Sequence, residues 1–222
     1  MHSLRLYVLF IKQIFSWEFL PLLGFGVVVT AILVFSEVDW QYFLFTQDIP
    51  VRPVLFLTNS LGFIIPAVVV LTFILLRLIT HSRNYSLYAQ LSFYAVLLGL
   101  TVSSFIKVFT GRTSPPHLPG SGDILDITNT STHFNFGFMQ ESILGGWPSS
   151  HATVMFALAT ALYITLPKNW YVTLLLFGTA LFVSIGVTFG WHWLSEFVAG
   201  ACLGITIGIV VGRYFKSLVS HF

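Results

Sequence analysis

The stretch GGWPSSHATVMFALATALYITL, residues 145–166, joins a Trp-Pro-Ser-Ser-His cluster directly to a long apolar segment. An apolar run of this length is typical of a helix that crosses a membrane. Proline fits the beginning of a helix and serine can cap it. The stretch therefore predicts a membrane helix whose first turn carries His151 at a membrane surface.

The composition of the whole chain is that of a membrane protein. Of 222 residues, 56% are hydrophobic and 17% aromatic, whereas 8% are charged, which is not the balance of a soluble protein. Apolar runs of about 18 residues, the length that a membrane helix needs, occur six times. They lie at residues 18–36, 61–79, 88–107, 151–167, 171–190 and 196–214.

These runs predict an all-α, polytopic membrane protein with six transmembrane helices in a bundle and residues 1–222 as a single domain. Residues 1–17 lack a small-residue cleavage site and are predicted to be an interfacial N-terminal segment, not a signal peptide. Residues 113–147 form an outer loop too long for a simple connector. A four-residue glycine spacing in the last run favours close helix packing within the bundle over a dimer face, at Gly200, Gly204, Gly208 and Gly212.

Lys and Arg near the span ends predict the orientation, because they are enriched on the cytoplasmic side. The termini and the loops on their side carry Arg5, Lys12, Arg77, Arg83, Lys168, Arg213 and Lys216. The opposite loops carry Arg52, Lys107 and Arg112. Both termini are therefore predicted to be cytoplasmic.

Apart from the three residues at each end, the six runs contain no Asp, Glu, Lys, Arg or His. Transporters, proton pumps and voltage sensors usually keep such groups at mid-membrane depth, so the sequence argues against these classes. Nucleic-acid binding has no basic patch behind it. Chemistry is concentrated instead at one membrane face.

Three separated segments carry the candidate chemistry, and the predicted topology brings all three to the outer face. KVFTGRTSPP, residues 107–116, leaves the third span; WPSSH, residues 147–151, opens the fourth; GWHWLSEF, residues 190–197, opens the sixth. Ser149 and Ser150 precede a helix whose unpaired N–H groups and dipole favour an anion. His151 next to them can donate a proton to a leaving oxygen.

His192 and Glu196 are four residues apart and share a helix face. A carboxylate on one imidazole nitrogen fixes the tautomer and leaves the other nitrogen to attack or to accept a proton. Lys107 and Arg112 add cationic donors at the same face. Taken singly, these features also fit an interfacial His beside a solvated Glu, and a Lys that snorkels to the headgroups. Together they are the equipment for phosphoryl transfer through a histidine, with no metal or other cofactor required.

The order of these residues resembles the type-2 phosphatidic acid phosphatase superfamily, which includes the vanadium haloperoxidases. The family pattern is Lys, six residues, Arg-Pro; then Pro-Ser-Gly-His; then Ser-Arg, five residues, His, three residues, Asp. Lys107, Pro148-Ser149-Ser150-His151 and His192 match it, with Ser150 in the glycine place and Glu196 in the aspartate place. Ser114 and Gly186 stand where the family has its two phosphate-binding arginines.

The resemblance implies a role for each matched residue. His192 would be the nucleophile that forms a phosphohistidine, Glu196 its orienting partner, and His151 the acid and later the base, giving a bell-shaped pH profile. Lys107, Ser149 and Ser150 would bind the phosphate. Arg112 lies two residues from the expected arginine, and we hypothesise that it takes over phosphate binding. Arg52, His117 and His133 lie in outer loops as other candidate replacements.

Within the family, the chain is most similar to the bacterial lipid A phosphatases, in particular the 4'-phosphatase branch. This similarity implies a multi-pass protein of the bacterial inner membrane with a periplasmic active site that hydrolyses a lipid phosphate in the outer leaflet. Undecaprenyl diphosphate and phosphatidylglycerol phosphate are close competitors as substrates. The sequence leaves the oligomeric state open.

Three other classes of function remain open. A lipid phosphotransferase would use the same residues to pass the phosphoryl group to a second lipid. A catalytically silent lipid-binding protein or scramblase would account for the missing arginines. A zinc hydrolase would draw its ligands from His133, His151, His192 and Glu196.

Overall fold

The computed structural model describes residues 2–47, 49, 57–116, 128–140 and 146–219. Within these ranges the regular structure is all-α, as predicted, apart from one isolated β-bridge between Arg112 and Phe134. The helices are α1 His2–Ile14, α2 Leu20–Phe35, α3 Val38–Gln47, α4 Thr58–Thr80, α5 Arg83–Thr110, α6 Ser150–Thr165, α7 Trp170–Gly186 and α8 Leu194–Val219.

Each of the six predicted apolar runs contains a helix, but the helices differ in their capacity to cross a membrane. Among the described residues, α4, α5 and α8 are long and apolar enough for a span, and α2 with α3 makes a fourth if this pair, bent by 71°, is one span. Helices α6 and α7 are apolar but have 16 and 17 residues, against the about 20 that a bilayer usually requires. The number of six spans stays a prediction.

Helix α8 is the centre of the bundle and packs most extensively on α6. Its glycines make this approach possible, since a Cβ atom at Gly204 would overlap the carbonyl of Thr153, and one at Gly208 would overlap Thr160. Small residues are what allow two helix backbones to come this close. The prediction that the glycine stripe packs within the bundle is confirmed.

Helix α1 covers most of the segment predicted to be interfacial and packs against the bundle. Phe10 and Ile14 are buried, and the Phe10 ring meets the rings of Tyr94 and Tyr214 edge-on at 5.6 and 5.3 Å between centroids. This contact ties α1 to α5 and α8 at the end of the molecule away from the candidate histidines.

The end of α5 places Arg112 through a left-handed glycine. Gly111 has φ 47°, a conformation that favours glycine, and its N–H donates to the carbonyl of Lys107 at 3.2 Å. The described part of the long loop between α5 and α6, residues 128–140, then returns to this turn: Asn135 N–H donates to the Gly111 carbonyl at 2.9 Å. This part of the loop therefore packs on the bundle and covers Arg112.

Candidate active site

The three candidate segments converge at one end of the bundle. The end of α5 carries Lys107, the start of α6 carries His151, and the turn before α8 carries His192. The rings of His151 and His192 are 5.6 Å apart between centroids, and both side chains are buried. Residues that are far apart in sequence thus form one cluster, as the predicted topology requires.

His192 and Glu196 form a short hydrogen bond. Nδ1 of His192 lies 2.5 Å from Oε2 of Glu196, and both side chains are buried. A carboxylate oxygen accepts, so the proton stands on Nδ1 and the neutral ring has its lone pair on Nε2. Burial lowers the pKa of His192, and the hydrogen bond to Glu196 acts in the opposite direction. Burial thus favours the neutral ring, and a neutral imidazole with a free lone pair can act as a nucleophile.

His151 is held by the first turn of α4. Its Nε2 lies 3.1 Å from the carbonyl oxygen of Asn59, and because a carbonyl only accepts, Nε2 carries the proton. The Phe63 ring meets the imidazole edge-on at 4.6 Å. Gly62 lies so close that a Cβ atom there would overlap Cδ2 of His151. The proton that an acid would donate thus stands on Nε2.

The start of α6 is tied to its neighbours on both sides. Ser149 caps the helix by accepting from Ala152 N–H at 3.4 Å, and its own N–H donates to the carbonyl of Glu196 at 3.1 Å. The hydroxyl of Ser150 is 2.9 Å from that of Ser103 on α5. These bonds fix the helix start beside the two histidines.

Lys107 is a buried basic residue beside this cluster. Its side chain is buried, and it lies close enough to interact electrostatically with His151, His192 and Glu196. A buried ammonium group needs neighbouring negative charge. Glu196 provides part of it, and a phosphate bound between the histidines would provide more.

Arg112 is also buried, but its terminal nitrogens are engaged within the protein. Nη1 donates to Ser195 Oγ at 2.6 Å, and Nη2 donates to Asp39 at 2.6 Å and to the carbonyl of Ser131 at 2.8 Å. Nε is 3.7 Å from Oε1 of Glu196. The guanidinium reaches the site through Glu196, and its predicted contact with phosphate stays a prediction.

The structure offers a physical reason why one family arginine is absent. A Cβ atom at Gly186 would overlap the side chain of Thr58, so the start of α4 occupies the space beside this position. Of the candidate replacements, His133 is exposed, and Arg52 and His117 lie outside the described residues. In the described ranges, no group of three or more His, Cys, Asp or Glu is placed to hold a metal.

Sequence reasoning missed three residues that support the site. Asp39, Asn59 and Ser195 contact the catalytic candidates or Arg112 directly. One signal was present for Asp39, an acidic residue that follows an apolar run almost immediately. Asn59 acts through its backbone carbonyl, which no residue type reveals.

The structure thus shows a membrane protein in which apolar helices surround a buried pair of histidines, a carboxylate and a lysine. Residues 88–219, more than half of the chain, match the PAP2 superfamily. The chain belongs to this superfamily, and the resemblance inferred from its motifs is confirmed. The match includes Lys107, His151, His192 and Glu196 but not Asp39 or Asn59.

The fold is similar to that in the crystal structure of the first transmembrane PAP2 type phosphatidylglycerolphosphate phosphatase from Bacillus subtilis. The likeness covers 91% of this chain and 98% of the other, with a TM-score of 0.62 and 16% sequence identity. No curated protein matches the sequence. Family membership and fold together support a membrane phosphatase.

Proposed function

We propose that this protein is a membrane lipid phosphatase that hydrolyses a phosphomonoester of a lipid through a phosphohistidine, without a metal. The observation that carries the proposal is the approach of His151 and His192 to 5.6 Å, with Glu196 on the second ring. One ring presents a lone pair and the other a proton. Phosphoryl transfer with a poor leaving group needs both.

In the first step, Nε2 of His192 attacks phosphorus and forms a P–N bond while the P–O bond to the lipid breaks. His151 acts as the imidazolium ion: its Nε2 gives a proton to the departing oxygen, which takes the place of the Asn59 carbonyl as the hydrogen-bond acceptor, and the ring is left neutral with a proton on Nδ1. Lys107 and the start of α6, with Ser149 and Ser150, hold the phosphoryl oxygens.

In the second step, water attacks the phosphohistidine while Nε2 of His151, now unprotonated, takes a proton from the water. The P–N bond breaks and inorganic phosphate leaves. Until then, Glu196 stabilises the positive charge that His192 gained in the first step and carries in the phosphohistidine. We keep Arg112 as a proposed phosphate ligand through Nε, which has no hydrogen-bond partner among the described residues.

A cavity beside His151 supports a lipid as the substrate. It lies between α4, α5 and α6, has a volume of about 460 Å³, and carries Ser150 and His151 at its polar end. The rest of its wall is apolar and includes Pro66, Ala67 and Leu97. This volume is within the about 300–1,000 Å³ of small-molecule sites. A hydrocarbon chain in this cavity would leave its phosphate at the histidines.

For location, we propose the bacterial inner membrane, with both termini cytoplasmic and the active site periplasmic. The uneven distribution of Lys and Arg supports this orientation. The substrate would then enter from the outer leaflet, and lipid A with its 4'-phosphate is the first candidate.

Phosphatidylglycerol phosphate is a second candidate substrate. It is favoured by the similarity of fold to a phosphatidylglycerolphosphate phosphatase over nearly the full length of both chains. Undecaprenyl diphosphate is a third. A phosphotransferase would leave phosphorylated lipid in place of free phosphate, and a silent lipid-binding protein would release neither.

The deciding experiment assays the purified protein in detergent against lipid A, phosphatidylglycerol phosphate and undecaprenyl diphosphate, with His192→Ala in parallel. Phosphate release from one lipid by the wild type, and none by the variant, is the expected result. Equal release by both proteins, or no turnover of any lipid, would contradict the proposal. EDTA is expected to leave the rate unchanged.

A further inference from the structure

Asp39 is a fully buried carboxylate on α3, outside the part of the chain that matches the family. From the described residues it accepts three hydrogen bonds: from Arg112 Nη2 at 2.6 Å, from the Ser195 N–H at 2.9 Å and from the Ser195 hydroxyl at 2.5 Å. A buried carboxylate is costly unless it is paired and hydrogen-bonded. Every donor that stabilises Asp39 adjoins the candidate active site.

We propose that Asp39 is a positioning residue for this reaction: it holds Arg112 and the first turn of α8 so that Glu196 keeps its hydrogen bond to His192. The inference rests on the proposed function and deepens it. Asp39 contacts Arg112 and Ser195, so it acts through them.

The first part of the argument is the geometry of the helix start. The N–H groups in the first turn of a helix lack acceptors within the helix, and Asp39 supplies one to Ser195 from another helix. A negative charge is also favoured at this end of the helix dipole. Because Ser195 directly precedes Glu196, this bond fixes the direction in which the Glu196 side chain leaves α8.

The second part of the argument is that Arg112 interacts with two carboxylates, those of Asp39 and Glu196. Arg112 gives its terminal nitrogens to Asp39 and Ser195, while its Nε remains 3.7 Å from Oε1 of Glu196. Oε1 has no hydrogen-bond partner among the described residues, and Oε2 binds His192. When the charge of Asp39 is removed, Glu196 becomes the only carboxylate partner of Arg112 among the described residues of this cluster. The attraction to Arg112 then draws the Glu196 side chain away from His192.

The test variant is Asp39→Asn, which keeps the size of the side chain and removes its charge. We expect kcat to fall about 10- to 100-fold, as it does when residues that hydrogen-bond the ligands of metal sites are replaced. KM should change little. The acid limb of kcat/KM should also move to lower pH, because His192 loses the support of Glu196. Four groups face His192 and are unchanged in the variant: Glu196, Lys107, Arg112 and His151.

The matched control is Glu37→Gln, which removes an exposed carboxylate two residues away, in the turn before α3. It should keep the wild-type kcat and pH profile. If Asp39→Asn also keeps both, the inference is wrong. A loss of kcat with an unshifted acid limb would also contradict it, because it would indicate a purely structural role.

If Asp39→Asn does not fold, the measurement is made on Ser195→Ala, which removes the hydroxyl shared by Asp39 and Arg112 and leaves every charge in place. A several-fold lower kcat with the acid limb shifted in the same direction supports the inference, and wild-type behaviour overturns it. A wild-type protein that releases no phosphate from any lipid contradicts the proposed function itself. An active wild type with an unaffected Asp39→Asn contradicts the positioning role alone.

Discussion

The imidazole of His192 is joined to the carboxylate of Glu196 by a 2.5 Å hydrogen bond at the start of α8, and both groups are buried. This one contact determines which ring nitrogen is free to react. It also opposes the effect of burial on the pKa of His192. The reactivity of the proposed nucleophile therefore depends on a single neighbouring carboxylate.

The first prediction concerns the pH dependence of kcat/KM. Only neutral His192 can attack, so activity falls as pH drops through its pKa. Because burial lowers this pKa, the acid limb should lie below the ordinary histidine value of about 6.5. Glu196→Gln removes a charge that raises the pKa, so its limb should lie lower still. Rates measured from about pH 4 to pH 9 give the acid limb of the wild type and that of Glu196→Gln. A flat wild-type profile would contradict the assignment of His192 as the nucleophile.

The core of the site could be predicted because its signals are local. His192 and Glu196 share a helix face through their spacing, and the Pro-Ser-Ser-His sequence marks the start of a helix without any tertiary information. The order of apolar runs then predicted that these residues lie on the same side of the membrane. The rings of His151 and His192 are indeed close together, 5.6 Å apart between centroids.

The support around the site could not be predicted because it depends on contacts between distant helices. Asp39 binds Ser195, and Asn59 binds His151 through a backbone carbonyl. Neither contact leaves a periodic pattern or a motif in the sequence. The engagement of Arg112 by Asp39 has the same origin: spacing placed the arginine near the family position, but only the fold shows which anion neutralises it.

The second prediction is that replacing each of the two histidines impairs a different step of the reaction. His192→Ala should lower kcat by more than about 10⁴-fold, because the nucleophile is lost. His151→Ala should lower it by about 10²- to 10⁴-fold, the contribution of general acid-base catalysis, and should still form some phosphohistidine. Acid-labile ³²P labelling of each variant distinguishes them. Labelled His192→Ala would show that another residue is the nucleophile.

The third prediction concerns the close approach of α4 to His151. Gly62→Ala should displace the imidazole, because the new methyl group would overlap its ring, and kcat should fall at least tenfold. The matched control is Gly178→Ala on α7, where a Cβ atom meets nothing within 4 Å. Equal kcat for the two variants would show that the contact with α4 is unimportant for the position of His151. Thermal unfolding of both variants checks that the effect is local.

The fourth prediction assigns phosphate affinity to Lys107. Loss of one charge-assisted hydrogen bond costs about 1.5 to 3 kcal/mol, which is about 10- to 100-fold in affinity. Lys107→Gln should therefore weaken inhibition by inorganic phosphate by this factor. Lys216→Gln, at an exposed position in the last turn of α8, serves as the control. Inorganic phosphate should inhibit this variant as strongly as it inhibits the wild type. If inorganic phosphate inhibits Lys107→Gln as strongly as the wild type, Lys107 does not bind the phosphate.

The fifth prediction tests whether the cavity between α4, α5 and α6 holds a hydrocarbon chain. Ala67 lines this cavity, whereas the next residue, Val68, is exposed and does not line it. Ala67→Trp should fill the space and lower kcat/KM for a long-chain lipid phosphate by about 10- to 100-fold, given that overpacking costs about 1–3 kcal/mol. A short water-soluble phosphate ester needs no chain site, so its kcat/KM should not change. Val68→Trp should leave both substrates unaffected. If Ala67→Trp lowers turnover of the two substrates equally, the substitution has disturbed the histidines, and the chain lies elsewhere.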